Sequence, residues 1–269
     1  MLEEVPVEFC RYEKKGHVVT ITITRPEVMN ALHPPASREL DAAWDQFAAD
    51  DDAWVAVLTG EGDRAFSAGN DLKYTAEMSR LPKEQRPDLS WPKGGFGGIT
   101  NRFDLFKPII ARVNGFALGG GLEMALACDI IVAAEHAELG LPEPRRGLIA
   151  GALGVHRLPR QIPLKIAMGY MLTGRHIPAR RAAELGLVNE VVPLHELDGA
   201  VERWVEDILR CAPLSVRATK EAAMRGLHLS LEEAAAQRYE WEMRRRTSED
   251  ALEGPRAFAE KRAPEWKGR

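Results

Sequence analysis

Two short segments carry the residue types that oxyanion and acid–base chemistry need: 65–73, AFSAGNDLK, and 114–129, NGFALGGGLEMALACD. The second holds three consecutive glycines, Gly119 to Gly121, at a predicted helix start. Glycines there leave backbone N–H groups bare and let a ligand approach closely. A helix N-terminus adds partial positive charge. Together they can stabilise an oxygen that gains negative charge. An N–H near Gly120 supplies one donor, and the tight turn Ala68-Gly69-Asn70 supplies a second. Two converging donors would suit a thioester carbonyl turning into an enolate. The same glycines would also permit close helix packing, and GGG alone does not separate the two uses.

Glu123 follows the glycine run by two residues, in the first turn of the predicted helix. A carboxylate there gains up to about 1 kcal/mol from the helix dipole, with no catalytic role needed. The other reading is a general base beside the oxyanion donors. Glu143 stands in LGLPEPRRG, between Pro142 and Pro144, which restrict its backbone. Such an acid is either a surface-turn residue or a positioned catalytic group, and spacing alone favours the turn.

Other chemistries find little support. There is no G-x-x-x-x-G-K-S/T and no G-x-G-x-x-G after a strand, so no phosphate cradle. There is no G-x-S-x-G, and Ser67 has no base partner in sequence. The seven His are scattered without metal-site spacing, and the three cysteines, Cys10, Cys128 and Cys211, lie far apart. A metal site and a disulfide framework are therefore not expected, and a reducing cytoplasm is. The net charge of -4 gives no basic stripe for nucleic acid. The start, MLEEVPVEFC, is acidic without a signal-peptide core. The most apolar stretch, 116–134, is broken by Glu123 and Asp129, a poor membrane span.

The elements that must position these residues read as α/β. The 269 residues, 45% hydrophobic and 28% charged, suit one large globular domain or one with an appendage. Strands are predicted over 16–25, 54–59, 108–113 and 129–133, and helices over 37–49 and from 119 through 127. The β-α-β rhythm runs from 16 to about 195, so the expected division is a catalytic core over 1–195 and a helical region over 196–269. Helices are expected over 196–210, 215–225 and 230–246, with Arg244 to Arg246 a solvated face. Residues 74–100 read as a surface loop with some helix.

Taken together, the chain resembles the crotonase, or enoyl-CoA hydratase/isomerase, superfamily over nearly its whole length. Arg25-Pro26 with Asn30-Ala31-Leu32 is similar to its R-P-x-x-x-N-A-L. The segments 66–72, FSAGNDL, and 114–121, NGFALGGG, follow in the family's order. Later, Leu172 to Arg175, Ala182 to Glu184 and Gly186 to Val188 resemble its T-G-x-x-x-x-A-x-E-A-x-x-x-G-L-V region, and 248–268 resembles its C-terminal helix. The resemblance implies a spiral of ββα turns with a helical C-terminal region, packed as a homotrimer or a dimer of trimers. It implies a coenzyme A thioester substrate, coenzyme A being part of that substrate, with no separate cofactor. It implies oxyanion donors at the Asn70 and Gly120 amides and catalytic carboxylates at Glu123 and Glu143. It implies substrate and coenzyme A contacts at Ala31, Ala68, Asp71, Leu72, Gly119, Pro142 and Gly151. Lys261 or Phe258 is implied to reach a neighbouring subunit's site.

The activity so implied is enoyl-CoA hydration, with Glu123 taking a proton from water and Glu143 supplying one to Cα. The alternatives are a Δ3-Δ2 isomerase, for which one carboxylate suffices, and an acyl-CoA binder without turnover, which needs no paired acids. Ala150 stands where the family commonly has Pro, and Leu153 where it has Gly. A bulky Leu153 is expected to narrow the acyl end of the pocket or shift the water. The segment 94–108 and the chain's end are also similar to carnitinyl-CoA dehydratase-like members, which hydrate a crotonobetaine thioester. Trp91 and Tyr74 are candidates to face its quaternary ammonium, and are equally read as packing residues.

Overall fold

The alternation in VVTITI and the unbroken run VAVLT ask for different surroundings, one face covered against two. In the computed structural model, which describes residues 8–269, both find them. The acidic start of the chain, through Val7, lies outside the described residues. Strands β1 (Cys10–Lys15) and β2 (Val18–Ile23) pair antiparallel, α1 (Pro34–Ala49) follows, and β3 (Val55–Gly60) is buried throughout. Then come β4 (Ala65–Ser67), α2 (Leu72–Arg80), β5 (Ile109–Val113), β6 (Phe116–Leu118) and α3 (Gly120–Ala125). Next are β7 (Ile130–Ala134), β8 (Glu138–Gly140), α4 (Gly154–Gln161), α5 (Leu164–Thr173), β9 (His176–Pro178), α6 (Ala179–Glu184) and β10 (Glu190–Val192). Helices α7 (Leu197–Leu209), α8 (Pro213–Gly226), α9 (Leu231–Ala236), α10 (Glu240–Arg246) and α11 (Glu249–Glu260) close the chain.

The strands form a six-stranded sheet, β1-β2-β3-β5-β7-β10, and a four-stranded sheet, β4-β6-β8-β9. From β3 onward the chain lays one strand in each sheet and then a helix: β3-β4-α2, β5-β6-α3, β7-β8-α4. That is the ββα spiral. The parallel ladders β2-β3-β5-β7 explain why β3 and β5 are apolar on both faces. The second strand of each turn is only three residues long. Three residues carry no readable period, so these strands gave no sequence signal.

Helix α1 starts where His33 accepts the Ala36 amide at 3.2 Å, with Pro34 at its first position. Its predicted face, Leu40, Ala43, Trp44 and Phe47, is buried in the main core. A smaller cluster lies between the six-stranded sheet and α7, where Leu197, Ala200 and Val201 meet Val55, Ile110 and Val132.

Two expectations change. Residues 74–100 are not one surface loop. The expected helical part is the end of α2, but 94–100 is buried instead of lying on the surface. The Trp44 indole donates to the Gly97 carbonyl at 3.1 Å, and the Gly94 amide to Asp41 at 3.1 Å. A Cβ at Gly98 would lie 2.4 Å from the Asp41 backbone, so this glycine lets the segment lie directly on α1. The predicted single helix over 230–246 is two. Ser230 and Glu233 form a capping box that starts α9, and the Tyr239 hydroxyl donates to the Ala234 carbonyl at 3.0 Å and closes it. The chain restarts as α10 where the Trp241 amide donates to buried Glu221 at 2.7 Å.

One contact fixes the spiral locally. A Cβ at Gly121 would lie 2.0 Å from the Ser67 carbonyl oxygen, a backbone atom that cannot step aside. Overpacking of that kind costs about 1–3 kcal/mol. Gly121→Ala is therefore expected to lower the thermal midpoint by roughly 4–8 °C, at about 2 kcal/mol. Gly169→Ala on α5, where nothing lies within 4 Å, leaves the midpoint unchanged or raises it. Differential scanning fluorimetry of the two variants reads the difference.

Candidate active site

Strands β4 and β6 run parallel, so their C-terminal ends open side by side. The turn after β4 is fixed from behind. The Ser67 hydroxyl donates to the Asn30 carbonyl at 2.8 Å and accepts the Gly69 amide at 3.1 Å. Asn30, with φ of 54°, donates to the Ala65 and Glu61 carbonyls at 2.7 and 3.0 Å. Arg25 reaches the Ala31 carbonyl and the Asp71 carboxylate, the latter at 3.0 Å. Asp71 also caps α2 by accepting the Tyr74 amide at 3.0 Å. The R-P…N-A-L segment thus acts as scaffold for residues 68–71.

Gly69 lies against the start of α3, where a Cβ would be 2.8 Å from the Gly120 nitrogen. The Asn70 and Gly120 amides flank one cavity of about 610 Å³. Neither donates to another group among the described residues. With only six residues in α3, direct N–H donation is what this end offers. Two free donors facing one space can hold a carbonyl oxygen as it gains charge.

The carboxyl groups come from the next layers. Glu123 projects from α3 and is 3% exposed. The Gly154 amide, at the start of α4, donates to its Oε1 at 2.7 Å. Glu143 heads the short turn after β8, and its Oε1 lies 2.9 Å from where a Gly119 Cβ would stand. Its Oε2 is buried and unpartnered among the described residues. Burial pushes Glu123 up to about 7; repulsion from Glu143 adds to this, while the Gly154 and Ala152 amides and the Arg157 cation oppose it. Burial also raises Glu143, and nearby Arg146 opposes it. Two such groups can retain a proton near neutrality and pass it to or from a reacting molecule.

The cavity brings together Ala68, Asn70, Leu72, Gly119, Gly120, Glu123, Pro142, Glu143 and Gly151 from the sequence-derived set. Ala31 and Asp71 do not line it and belong to the scaffold behind the turn. Trp91 lines the cavity and leans on Phe96 at 4.9 Å. Tyr74 does not, packing edge-on against His33 at 4.8 Å. Leu153 corrects an expectation: it is not a lining residue. It takes a left-handed φ of 77° as the N-cap of α4, and its carbonyl accepts the Arg157 amide at 2.8 Å. Phe258 and Lys261 lie on the α11 end, away from this lining, with Phe258 87% exposed.

Sequence reasoning missed Phe96, Thr100, Leu148 and Ile149, which also line the cavity. A Cβ at Gly120 would lie 2.5 Å from the Phe96 ring, so that ring walls one oxyanion candidate. The run GGFGG was the available signal, a lone aromatic among glycines. Among the described residues no cluster of His, Cys, Asp or Glu could hold a metal ion, and no helix is long and apolar enough to cross a membrane.

Known proteins resemble this chain over nearly its whole length. A carnitinyl-CoA dehydratase of Salmonella arizonae is 42% identical over 97% of this chain and 99% of its own. One of Proteus mirabilis is 41% identical over 95% and 97%. The crystal structure of an enoyl-CoA hydratase from Mycobacterium tuberculosis superposes with a TM-score of 0.88 at 41% identity, covering 97% of this chain and 99% of that one. One from Mycobacterium marinum gives 0.87 at 40%, with 97% and 99% covered. Hydratases and dehydratases of this group use no cofactor. Residues 13–269 match the enoyl-CoA hydratase/isomerase family, and the chain belongs to it as a crotonase-fold enzyme.

Proposed function

We propose that the chain is a hydro-lyase that adds water across the double bond of a 2-enoyl-CoA thioester and removes it from the 3-hydroxyacyl product. The observation that carries this is one cavity lined by a buried carboxyl group, Glu123, a half-buried one, Glu143, and two residues whose backbone amides are unpartnered among the described residues. In this reading the Asn70 and Gly120 amides hold the thioester oxygen. Glu123 takes a proton from water as its oxygen bonds to Cβ, the thioester becomes an enolate, and Glu143 protonates Cα. The reverse sequence expels the hydroxyl as water. An isomerase would need a single shuttling carboxyl group.

A second reading concerns the acyl group. The Trp91–Phe96 pair on the cavity wall beside two acids suits a quaternary ammonium. The relatives named carnitinyl-CoA dehydratase give the same direction. Self-association is supported by apolar side chains left exposed on α5 (Leu164, Leu172) and α11 (Leu252, Phe258), and the family resemblance makes the proposed assembly a homotrimer or a dimer of trimers.

The test is loss of the conjugated enoyl-thioester absorbance read together with product mass, after incubation with crotonyl-, octenoyl- and crotonobetainyl-CoA; an isomer shows as lost absorbance at unchanged mass. A water adduct on any of them is expected, with crotonobetainyl-CoA preferred if the second reading holds. A shifted double bond without water would make the enzyme an isomerase, and saturable binding without product would make it a binder. Glu123→Gln and Glu143→Gln should each lower hydration at least about 100-fold, the low end of acid–base assistance.

The reaction uses one proton on the pair, whose titration belongs to both groups together. Burial holds that proton up to about pH 7, the value reached by Glu123. Above it the pair becomes doubly ionised and lacks its acid. kcat/KM for hydration should therefore fall on the alkaline side, with a limb near pH 7. A profile flat to roughly pH 9, past any plausible carboxyl shift here, would contradict this.

A further inference from the structure

Asn114 has no place in the reaction as described, and it does not line the cavity. It is fully buried in the corner between β5 and β6. Its side-chain amide donates to three carbonyls around the β3–β4 corner: Gly60 at 2.9 Å, Gly62 at 2.7 Å and Ala65 at 3.2 Å. Asn30 reaches the same corner, donating to Glu61 and Ala65. A Cβ at Gly115 would fall on the Arg64 carbonyl, so the residue after Asn114 lets the two corners touch. The Asn114 Oδ1 is buried without a partner among the described residues. An amide whose acceptor goes unsatisfied contributes through its donors alone.

These contacts act at the root of the strand pair that carries both oxyanion candidates. Next to Asn114, Ala65 of β4 pairs with Phe116 of β6. The following pair is Ser67 with Ala117, so β4 advances two residues while β6 advances one. Phe66 is the extra residue, a bulge in a parallel pair. Its effect is on the count. Asn70 and Gly120 each stand three residues beyond the Ser67–Ala117 pair. Without the bulge, Ser67 would pair with Leu118, and Asn70 would stand level with Gly121. Strands of three residues hold few ladder bonds to pin such a stagger. Asn114 pins it, because its donors join the leading corner of β6 to Ala65, the residue from which the bulge departs.

We propose that Asn114 is a positioning residue for the oxyanion pair: its side-chain amide sets the stagger of β4 against β6, and so the separation of the Asn70 and Gly120 amides over the cavity. The catalytic meaning rests on the hydro-lyase reading, in which both amides hold the thioester oxygen. Donors fixed before the substrate arrives need no reorganisation as charge develops. A misplacement of about 1 Å costs on the order of a hundred-fold in rate. Loosening the root lets one amide drift from the oxygen. The wall residues Trp91, Phe96 and Ile149 come from other segments, so the ligand is still bound.

The test reads the carbonyl band of bound butyryl-CoA, isotope-labelled at the thioester carbonyl, by difference infrared spectroscopy, beside kcat and KM for hydration of crotonyl-CoA. A saturated thioester has no double bond to hydrate, so its band is an equilibrium property that needs no turnover. In Asn114→Ala the lowered band should move back towards its solution position, and kcat should fall about ten- to a hundred-fold with KM within about threefold. Asn114→Ser, whose shorter hydroxyl can meet one carbonyl, should fall between. Leu40→Ala is the control. It opens the core under α1, away from the cavity lining, so it should lower the thermal midpoint and leave the band and kcat at wild-type values. A wild-type band or a wild-type kcat in Asn114→Ala would overturn the proposal, as would a band moved equally by Leu40→Ala. If Asn114→Ala does not fold, Asn114→Ser is read alone, and a wild-type band there overturns it equally. A wild type that polarises no bound thioester would sink the oxyanion reading itself, while a wild-type shift retained in the variants would sink the role of Asn114 alone.

Discussion

The site depends on two backbones touching where side chains would keep them apart. The Ser67 carbonyl lies against Gly121, and Gly69 lies against the nitrogen of Gly120. Any Cβ at these points would force the ends of β4 and β6 apart. Held together, they leave the Asn70 and Gly120 amides over one cavity, each without another partner among the described residues. An amide without a protein partner is free to donate to a bound oxygen. The surrounding lattice of Asn30, Ser67 and Arg25 fixes the turn that presents the Asn70 amide.

The same residue type is used in two opposite ways within this lattice. Asp71 is buried against Arg25 and caps α2, so its charge is fully engaged in structure. Glu123 is buried against amides and shares its surroundings with a second acid, so its charge is left poised. Glu143 goes further, with one buried oxygen unpartnered. Burying a carboxyl without full compensation costs stability, and a carboxyl raised in the folded state loses more of that stability as pH rises through its folded value. Such unspent interactions concentrate where chemistry is done.

Much of this was legible in the residues. The α1 face and the buried strands β3, β5 and β7 follow from apolar spacing, because period and burial are coupled. The glycine run and both glutamates were visible as types and spacing. Their convergence was not, since Glu123 and Glu143 are brought together by parallel strands too short to show a period. The scaffold duty of Asp71 was hidden because its partner Arg25 is distant in sequence. The buried segment 94–100 reads as loop because glycines that allow contact with α1 look like glycines that allow freedom. Leu153 illustrates the same limit: its backbone angle, rather than its bulk, decides what it does to α4.

The most direct test of the account is the carbonyl stretching band of a bound enoyl thioester, read by isotope-edited difference infrared spectroscopy. Two amides donating to the thioester oxygen polarise the C=O bond, so the band should move to lower frequency on binding to the wild type. It should remain lowered in Glu143→Gln, whose amides are untouched. A bound thioester whose carbonyl band stays at its solution position would contradict the claim that Asn70 and Gly120 hold the oxygen.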